Sequence, residues 1–130
     1  MIVVDGSVVA TALGDDGADG RRARRRLVDE QLAAPGVIDL EVVSVWRRLC
    51  AAGHLQPGRA VQAIADLEAL PLQRVPHRTL LRRCWELRDS ITVCDAAYLA
   101  LAERLDATLV TADRLLSTAP GARCTVELLA

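Results

Sequence analysis

The stretch Thr92-Val-Cys-Asp-Ala-Ala-Tyr-Leu-Ala-Leu-Ala-Glu-Arg-Leu-Asp-Ala-Thr-Leu-Val-Thr-Ala-Asp113 decides how the rest of the chain is read. From Asp95 to Leu105 it is rich in Ala and Leu, lacks Gly and Pro, and opens on an acid where a helix macrodipole favours negative charge. A helix over Asp95 to Leu105 follows. Beyond Asp106, the β-branched and apolar run Thr108 to Thr111 predicts a short buried strand, with Asp113 just past its end. The helix climbs about 15 Å and the strand returns about 16 Å. Asp95 and Asp113 therefore finish at one edge of the fold. Two carboxylates at one edge repel each other, which a hard divalent cation relieves; alternatively Asp95 is only a helix cap and Asp113 only a turn residue. More acids arriving at the same edge decide between these readings.

The 130 residues, 52% hydrophobic and 25% charged, predict a single globular domain spanning residues 1–130. All 16 basic residues are Arg. The absence of Lys excludes P-loop nucleotidases, phospho-acceptor receivers and Schiff-base enzymes. Cys50, Cys84, Cys94 and Cys124 form no C-x-x-C pair and read as reduced, packed thiols, which suits a cytoplasmic protein. No apolar run approaches a membrane span, and the opening MIVVDGSVVATAL has no basic segment, so no signal peptide is expected.

Met1 to Val4 predicts a buried first strand, broken at Asp5-Gly6-Ser7 before a helix over Val8 to Leu13. In an open parallel sheet, ligands bind beyond the carboxyl ends of the strands, where Asp5 and Asp113 both fall. Helix capping is the competing reading of Asp5, although Ser7 could serve instead. Gly14 to Gly17, with Gly20, reads as a polar break carrying the solvated acids Asp15, Asp16 and Asp19. Arg21 to Glu30 follows as a helix with Ala23, Leu27 and Val28 on its apolar stripe. Its five Arg are either a solvated face or a phosphate-contacting patch.

Leu32 to Pro35 is the expected second strand, and after Gly36 a helix runs to its stop at Gly53. Ile38, Glu41, Val42, Val45 and Leu49 share one face of it, which sets the Glu41 carboxylate into an apolar stripe. Asp39 lies roughly opposite and reads as a cap. Pro57 opens a helix with Val61, Ile64 and Leu67 or Leu70 buried. Leu72 to Val75 is the third strand, Leu80 to Arg88 a helix with Trp85 packed, and Cys124 to Glu127 a possible fifth strand. His54 and His77 have no partner at ligand spacing and read as non-catalytic. The alternation of strands and helices predicts a three-layer α/β/α fold on a parallel sheet of four to five strands.

Asp5 after an apolar strand, Glu41 on the helix following the second strand, D-A-x-Y-x-A-L-A-E at Asp95 and T-A-D ending at Asp113 together resemble the PIN domain. The likeness is to the VapC-type toxins of bacterial toxin–antitoxin pairs, and it spans nearly the whole chain. It implies a PIN-like fold and a magnesium- or manganese-dependent endoribonuclease with Asp5, Glu41, Asp95 and Asp113 as acidic site and metal ligands. Ser7 and Thr111 match supporting hydroxyl positions. The resemblance also implies a VapB-like antitoxin and a homodimer. Gly6, Ser44 and Cys94 depart from the residues usual at their positions; none of them removes an acid.

The chemistry read from the residues agrees. Clustered carboxylates suit one or two Mg²⁺ ions that acidify a water for attack on an RNA phosphorus. Without the four acids, 13 acids remain against 16 Arg, a net +3 that suits a phosphate-rich partner. The competing readings are a PIN-like module that binds RNA or protein without cleavage, and a small metal-dependent phosphohydrolase. Intact acids argue against the module, and the lack of a Gly-rich phosphate loop against the phosphohydrolase.

Overall fold

In the computed structural model, which describes residues 1–129, five parallel strands form one sheet in the order β3-β2-β1-β4-β5. They are β1 (Ile2–Val4), β2 (Leu32–Pro35), β3 (Leu72–Val75), β4 (Thr108–Thr111) and β5 (Val126–Leu128). Each of the three inner strands is a short apolar run whose residues are buried almost throughout, as expected where both sheet faces are covered. Val3, Val4, Ala33, Ala34, Leu109 and Val110 have no exposed surface.

The strand order explains the layers. From β1 the chain steps outward through β2 to β3, with α1 (Gly6–Gly14), α2 (Ala18–Leu27), α3 (Ile38–Ala51) and α4 (Pro57–Ala69) in the crossovers. It then returns across the sheet to β4 through a 3₁₀ turn (Arg78–Leu80), α5 (Leu81–Glu86) and α6 (Val93–Leu105). Right-handed crossovers place helices on one face for the outward path and on the other for the return. Accordingly α1 packs on α2, α3 and α4, while α6 crosses β1, β2 and β4 with α5 against it. The reversal between β1 and β4 is a topological switch point, and the crevice beyond their carboxyl ends is the place such sheets offer for a ligand.

Helix α6 is buried without interruption from Ala96 to Ala102. Four of those seven residues are Ala, whose small side chains let the helix approach the sheet closely. The helix starts at Val93, earlier than predicted, because the Thr92 hydroxyl accepts from the Asp95 amide and caps it. It ends on Asp106 in the left-handed conformation.

Several side chains depart from their expected places. Val28 lies past the end of α2 and is exposed, as are Val61 on α4 and Trp85 on α5. In α3 the buried positions are Ile38, Val42 and Trp46, with Leu49 turned outward; the Trp46 indole donates to the Ala10 carbonyl and so ties α3 to α1. Asp39 is not a cap: Val37 begins α3 without a side-chain bond, and Asp39 instead receives Arg74 from β3. Gly20 is no break either. It lies inside α2, where an added Cβ would stand 1.8 Å from the Asp15 carbonyl oxygen, so its role is close approach of two helices. The fifth strand lies slightly later than expected, and α7 (Arg114–Ser117) was not expected at all. Cys84 is buried, but Cys94 is exposed beside Asp95.

Candidate active site

The switch-point crevice is where the predicted acids arrive. Asp5 follows β1, Asp113 follows β4, Glu41 lies in the first turn of α3 and Asp95 in the first turn of α6. All four line one cleft of 290 Å³ with Ser7 and Tyr98. Helix N-termini aim their positive dipole ends at this space, which suits acids in the first turn.

Asp5 is the deepest of the four, at 6% exposure. Its Oδ1 accepts from the Ser7 hydroxyl at 2.6 Å and from the Val8 amide at 3.2 Å, while its Oδ2 accepts from the Thr111 hydroxyl. Thr111 in turn accepts from the Asp113 amide at 3.0 Å. Both supporting hydroxyls named from the sequence thus hold Asp5, and they link β1 to β4. The capping and site readings of Asp5 are compatible, because one oxygen caps α1 and the carboxylate still borders the cleft. Asp113 is likewise the cap of α7, accepting from the Leu115 amide at 2.9 Å. Glu41 is half-buried and accepts from the Tyr98 hydroxyl. Tyr98 entered the sequence reading only as the Y of D-A-x-Y-x-A-L-A-E, with no role given to it; it stands three residues beyond Asp95 on α6, hence on the same helix face.

The electrostatics tie the acids together. Burial raises the Asp5 carboxyl above its usual pKa against the pull of Ser7, Thr111 and Val8, and the Asp95 charge adds to the rise. Burial also raises Glu41, opposed by Tyr98 and reinforced by Asp95 and Asp5. Asp95 itself is raised by burial, opposed by Thr92 and reinforced by Asp113. Each of the other three acids thus interacts with Asp95. Asp16, Asp19, Asp39, Glu30, Glu86, Glu103 and Glu127 all pair with Arg, whereas among the described residues none of the four cleft acids does. The Arg–carboxylate pairs lie elsewhere, and among the described residues no ion pair compensates the four cleft acids.

As a donor set, four carboxylates with flanking hydroxyls are hard oxygen ligands, the chemistry that Mg²⁺ and Mn²⁺ take. The carboxylates line the cleft without closing on one point: among the described residues, no three His, Cys, Asp or Glu side chains stand at a spacing that would already grip an ion. A bound cation would offset the repulsion between these like charges.

Neither His belongs to the site. His54 is exposed in the turn after α3, and His77 borders a separate apolar cleft with Cys84 and Cys94. The Arg cluster of α2 is mostly structural. Arg24 binds the Ala12 and Asp15 carbonyls at the end of α1, Arg26 pairs with Glu30 and Glu127, and Arg22 pairs with Asp19. Among the described residues no helix is long and apolar enough to cross a membrane.

Comparison with known proteins places this geometry. Residues 2–121 match the PIN domain family. The ribonuclease VapC9 of Mycobacterium tuberculosis is 37% identical over 129 residues, covering 99% of this chain and 98% of that protein. The chain belongs to the VapC ribonucleases of the PIN-domain family. Among solved structures, the fold is similar to that of Mycobacterium tuberculosis VapC20, a sarcin-ricin loop cleaving toxin, with a TM-score of 0.66 and 19% identity over 84% of this chain and 87% of that one. It is also similar to a chain of a toxin–antitoxin complex from Klebsiella pneumoniae, with a TM-score of 0.68 and 17% identity over 100% of this chain and 98% of that one. In this PIN domain the switch-point crevice coincides with the acidic cleft.

Proposed function

We propose that the chain is an endoribonuclease toxin of a toxin–antitoxin pair, and that Asp5, Glu41, Asp95 and Asp113 hold the divalent cation it needs. The observation that carries this reading is the electrostatic one. Burial and then neighbouring cleft carboxylates raise the affinity of Asp5, Glu41 and Asp95 for positive charge, and among the described residues no Arg pairs with any of the four cleft acids. The ribonuclease names of relatives with full-length identity of 37% support RNA as substrate.

Each residue has a distinct part. Asp95 and Asp113, at the ends of α6 and β4, face the cleft as ligands, and Glu41 completes the set from α3. Ser7 and Thr111 fix the Asp5 carboxylate, so that a buried ligand keeps one orientation. Tyr98 does the same for Glu41. When bound, Mg²⁺ or Mn²⁺ supplies charge to offset the carboxylates and the phosphate, and it acidifies water for hydrolysis. No side chain with proton-shuttle chemistry is required beside it, in keeping with two His that lie outside the cleft.

The similarity to a chain of a toxin–antitoxin complex supports a VapB-like partner for this chain. The homodimer expected from the resemblance stands with it as a proposal. Incubating purified protein with total RNA tests the reading. Cleavage in Mg²⁺ or Mn²⁺, lost in EDTA and in Asp95→Asn, is the expected result. Undiminished cleavage by Asp95→Asn would overturn it.

A further inference from the structure

The acid site opens on two sides. One cleft, bordered by Ser44, Leu40 and Arg48 from α3, ends on the four acids. A second, of 380 Å³, is bordered by Arg88, Ser90, Thr92 and Leu115 and shares Asp95 and Asp113 with the first. The two clefts therefore meet at Asp95 and Asp113, with Asp5 and Glu41 on the first side, and together they form a trough past the acids. Its two arms have the same make-up: each presents an exposed leucine, Leu40 at 72% and Leu115 at 78%, beside an arginine.

Both arginines have donors to spare. Arg48 is exposed and, among the described residues, makes no ion pair. Arg88 is pre-oriented without being neutralised: one nitrogen donates to the Trp85 carbonyl at 2.9 Å, and the guanidinium lies 4.4 Å from the centroid of the exposed Trp85 ring. Its other N–H groups remain free for a ligand. Asp89 borders the same arm, and among the described residues it forms no ion pair with Arg88.

A strand of nucleic acid crossing the acids meets a problem at either end. The cation answers the charge of one phosphate, but the neighbouring phosphates face the field of four carboxylates unless fixed positive charge lies beyond it. Arg48 and Arg88 are the unpaired cations in the two arms. We propose that the RNA strand runs along the whole trough, with the phosphates flanking the cut held by Arg48 on one side and Arg88 on the other, and the adjoining bases seated on Leu40 and Leu115. This rests on the nuclease reading and extends it to the path of the substrate. Leucine supplies apolar contact without hydrogen-bond readout, so the trough itself favours no base strongly.

The test uses a fluorescein-labelled single-stranded RNA of mixed sequence, with anisotropy measured across a salt series. Each phosphate contact to a single strand contributes about 0.7 to the slope of log K against log salt. Arg48→Gln and Arg88→Gln should each lower the slope by about 0.7, and the double variant by about 1.4. Arg25→Gln, an exposed residue on α2 outside both arms, should leave it unchanged. Leu40→Ser and Leu115→Ser should weaken binding without changing the slope. In cleavage assays the Arg variants should raise KM and retain kcat. The proposal is overturned if wild type binds and cuts RNA while both Arg variants keep the full slope, or if Arg25→Gln lowers it equally. It is also overturned if the Leu variants keep RNA affinity and instead lose a co-expressed protein partner, which would make the arms a protein interface. A wild type that neither binds nor cuts RNA overturns the nuclease reading and this path with it.

Discussion

Tyr98 on α6 donates its phenolic hydrogen to Oε1 of Glu41 on α3, 2.5 Å away, and so bridges two helices that approach the cleft from different layers. Burial, and then the Glu41 carboxylate itself, hold the phenol in its protonated form well above its ordinary pKa. The bond serves both partners: the half-buried carboxylate gains a donor, and the buried phenol an acceptor. Tyr98→Phe should cost about 1–3 kcal/mol of stability. In a double-mutant cycle with Glu41→Ala, which removes the acceptor, read by urea denaturation, the two effects should be non-additive. Additive losses would mean that the hydroxyl acts elsewhere.

Asp95 is the acid with which the other three interact, so neutralising it relieves repulsion across the whole cleft. Without metal, Asp95→Asn should melt at or above the wild-type temperature. With Mn²⁺ at a hundredfold over its dissociation constant, wild type should gain about 2.7 kcal/mol and the variant far less. Calorimetry with and without Mn²⁺ measures both. An equal gain in the variant would place the ion elsewhere.

Two glycines should respond oppositely to the same substitution. Helix propensity favours Ala over Gly by about 1 kcal/mol, but a Cβ at Gly20 would overlap the Asp15 carbonyl. Gly20→Ala should destabilise by about 1–3 kcal/mol. At Gly6 the added carbon would meet the Glu41 Cβ at 3.5 Å, ordinary contact, and Gly6→Ala should stabilise by about 0.4–1 kcal/mol. Thermal melts of the pair decide. The departure at Gly6 noted in the sequence is thus not enforced by space.

The strands were legible because they are short segments bounded by turn residues, too short for helices: Leu32–Pro35, Leu72–Val75 and Thr108–Thr111 fall where the sequence reading put them. The convergence of Asp95 and Asp113 followed from element lengths alone, and the structure lines both on one cleft. Helix faces were harder. Val61 and Val28 satisfy a helical stripe as well as Ala63 or Ala23, but the alanines are the buried ones, and which stripe is covered depends on packing absent from local sequence. Trp85 looked like core by size, yet it lies on the surface beneath Arg88. Tyr98 carried a usable signal in its spacing from Asp95.

Away from the cleft, Glu103 provides an acid-stability marker. Burial pushes its carboxyl up, but hydrogen bonds from Arg83 and the Arg123 amide, with the charges of both arginines, bring it below its ordinary value. With a folded pKa below the unfolded value of about 4.3, its contribution is fully present above that pH and fades as pH falls through the folded value. Glu103→Gln should cost about 1–3 kcal/mol near neutrality and flatten the acid limb of stability against pH. An unchanged acid limb would assign the loss to other carboxylates.

The most direct test of the central claim is the chemistry of the ends left by the cut. Hydrolysis by water at a cation held by Asp5, Glu41, Asp95 and Asp113 leaves a 5′-phosphate and a 3′-hydroxyl. A cut that uses the RNA's own 2′-hydroxyl relies on general acid and base groups and leaves a 2′,3′-cyclic phosphate. Fragments made by purified protein in Mg²⁺ or Mn²⁺ should ligate to a 3′ adaptor without phosphatase treatment, the reaction should stop in EDTA, and the His54→Ala/His77→Ala variant should cut as wild type does. Cyclic-phosphate ends, or cleavage that continues in EDTA, would contradict the account.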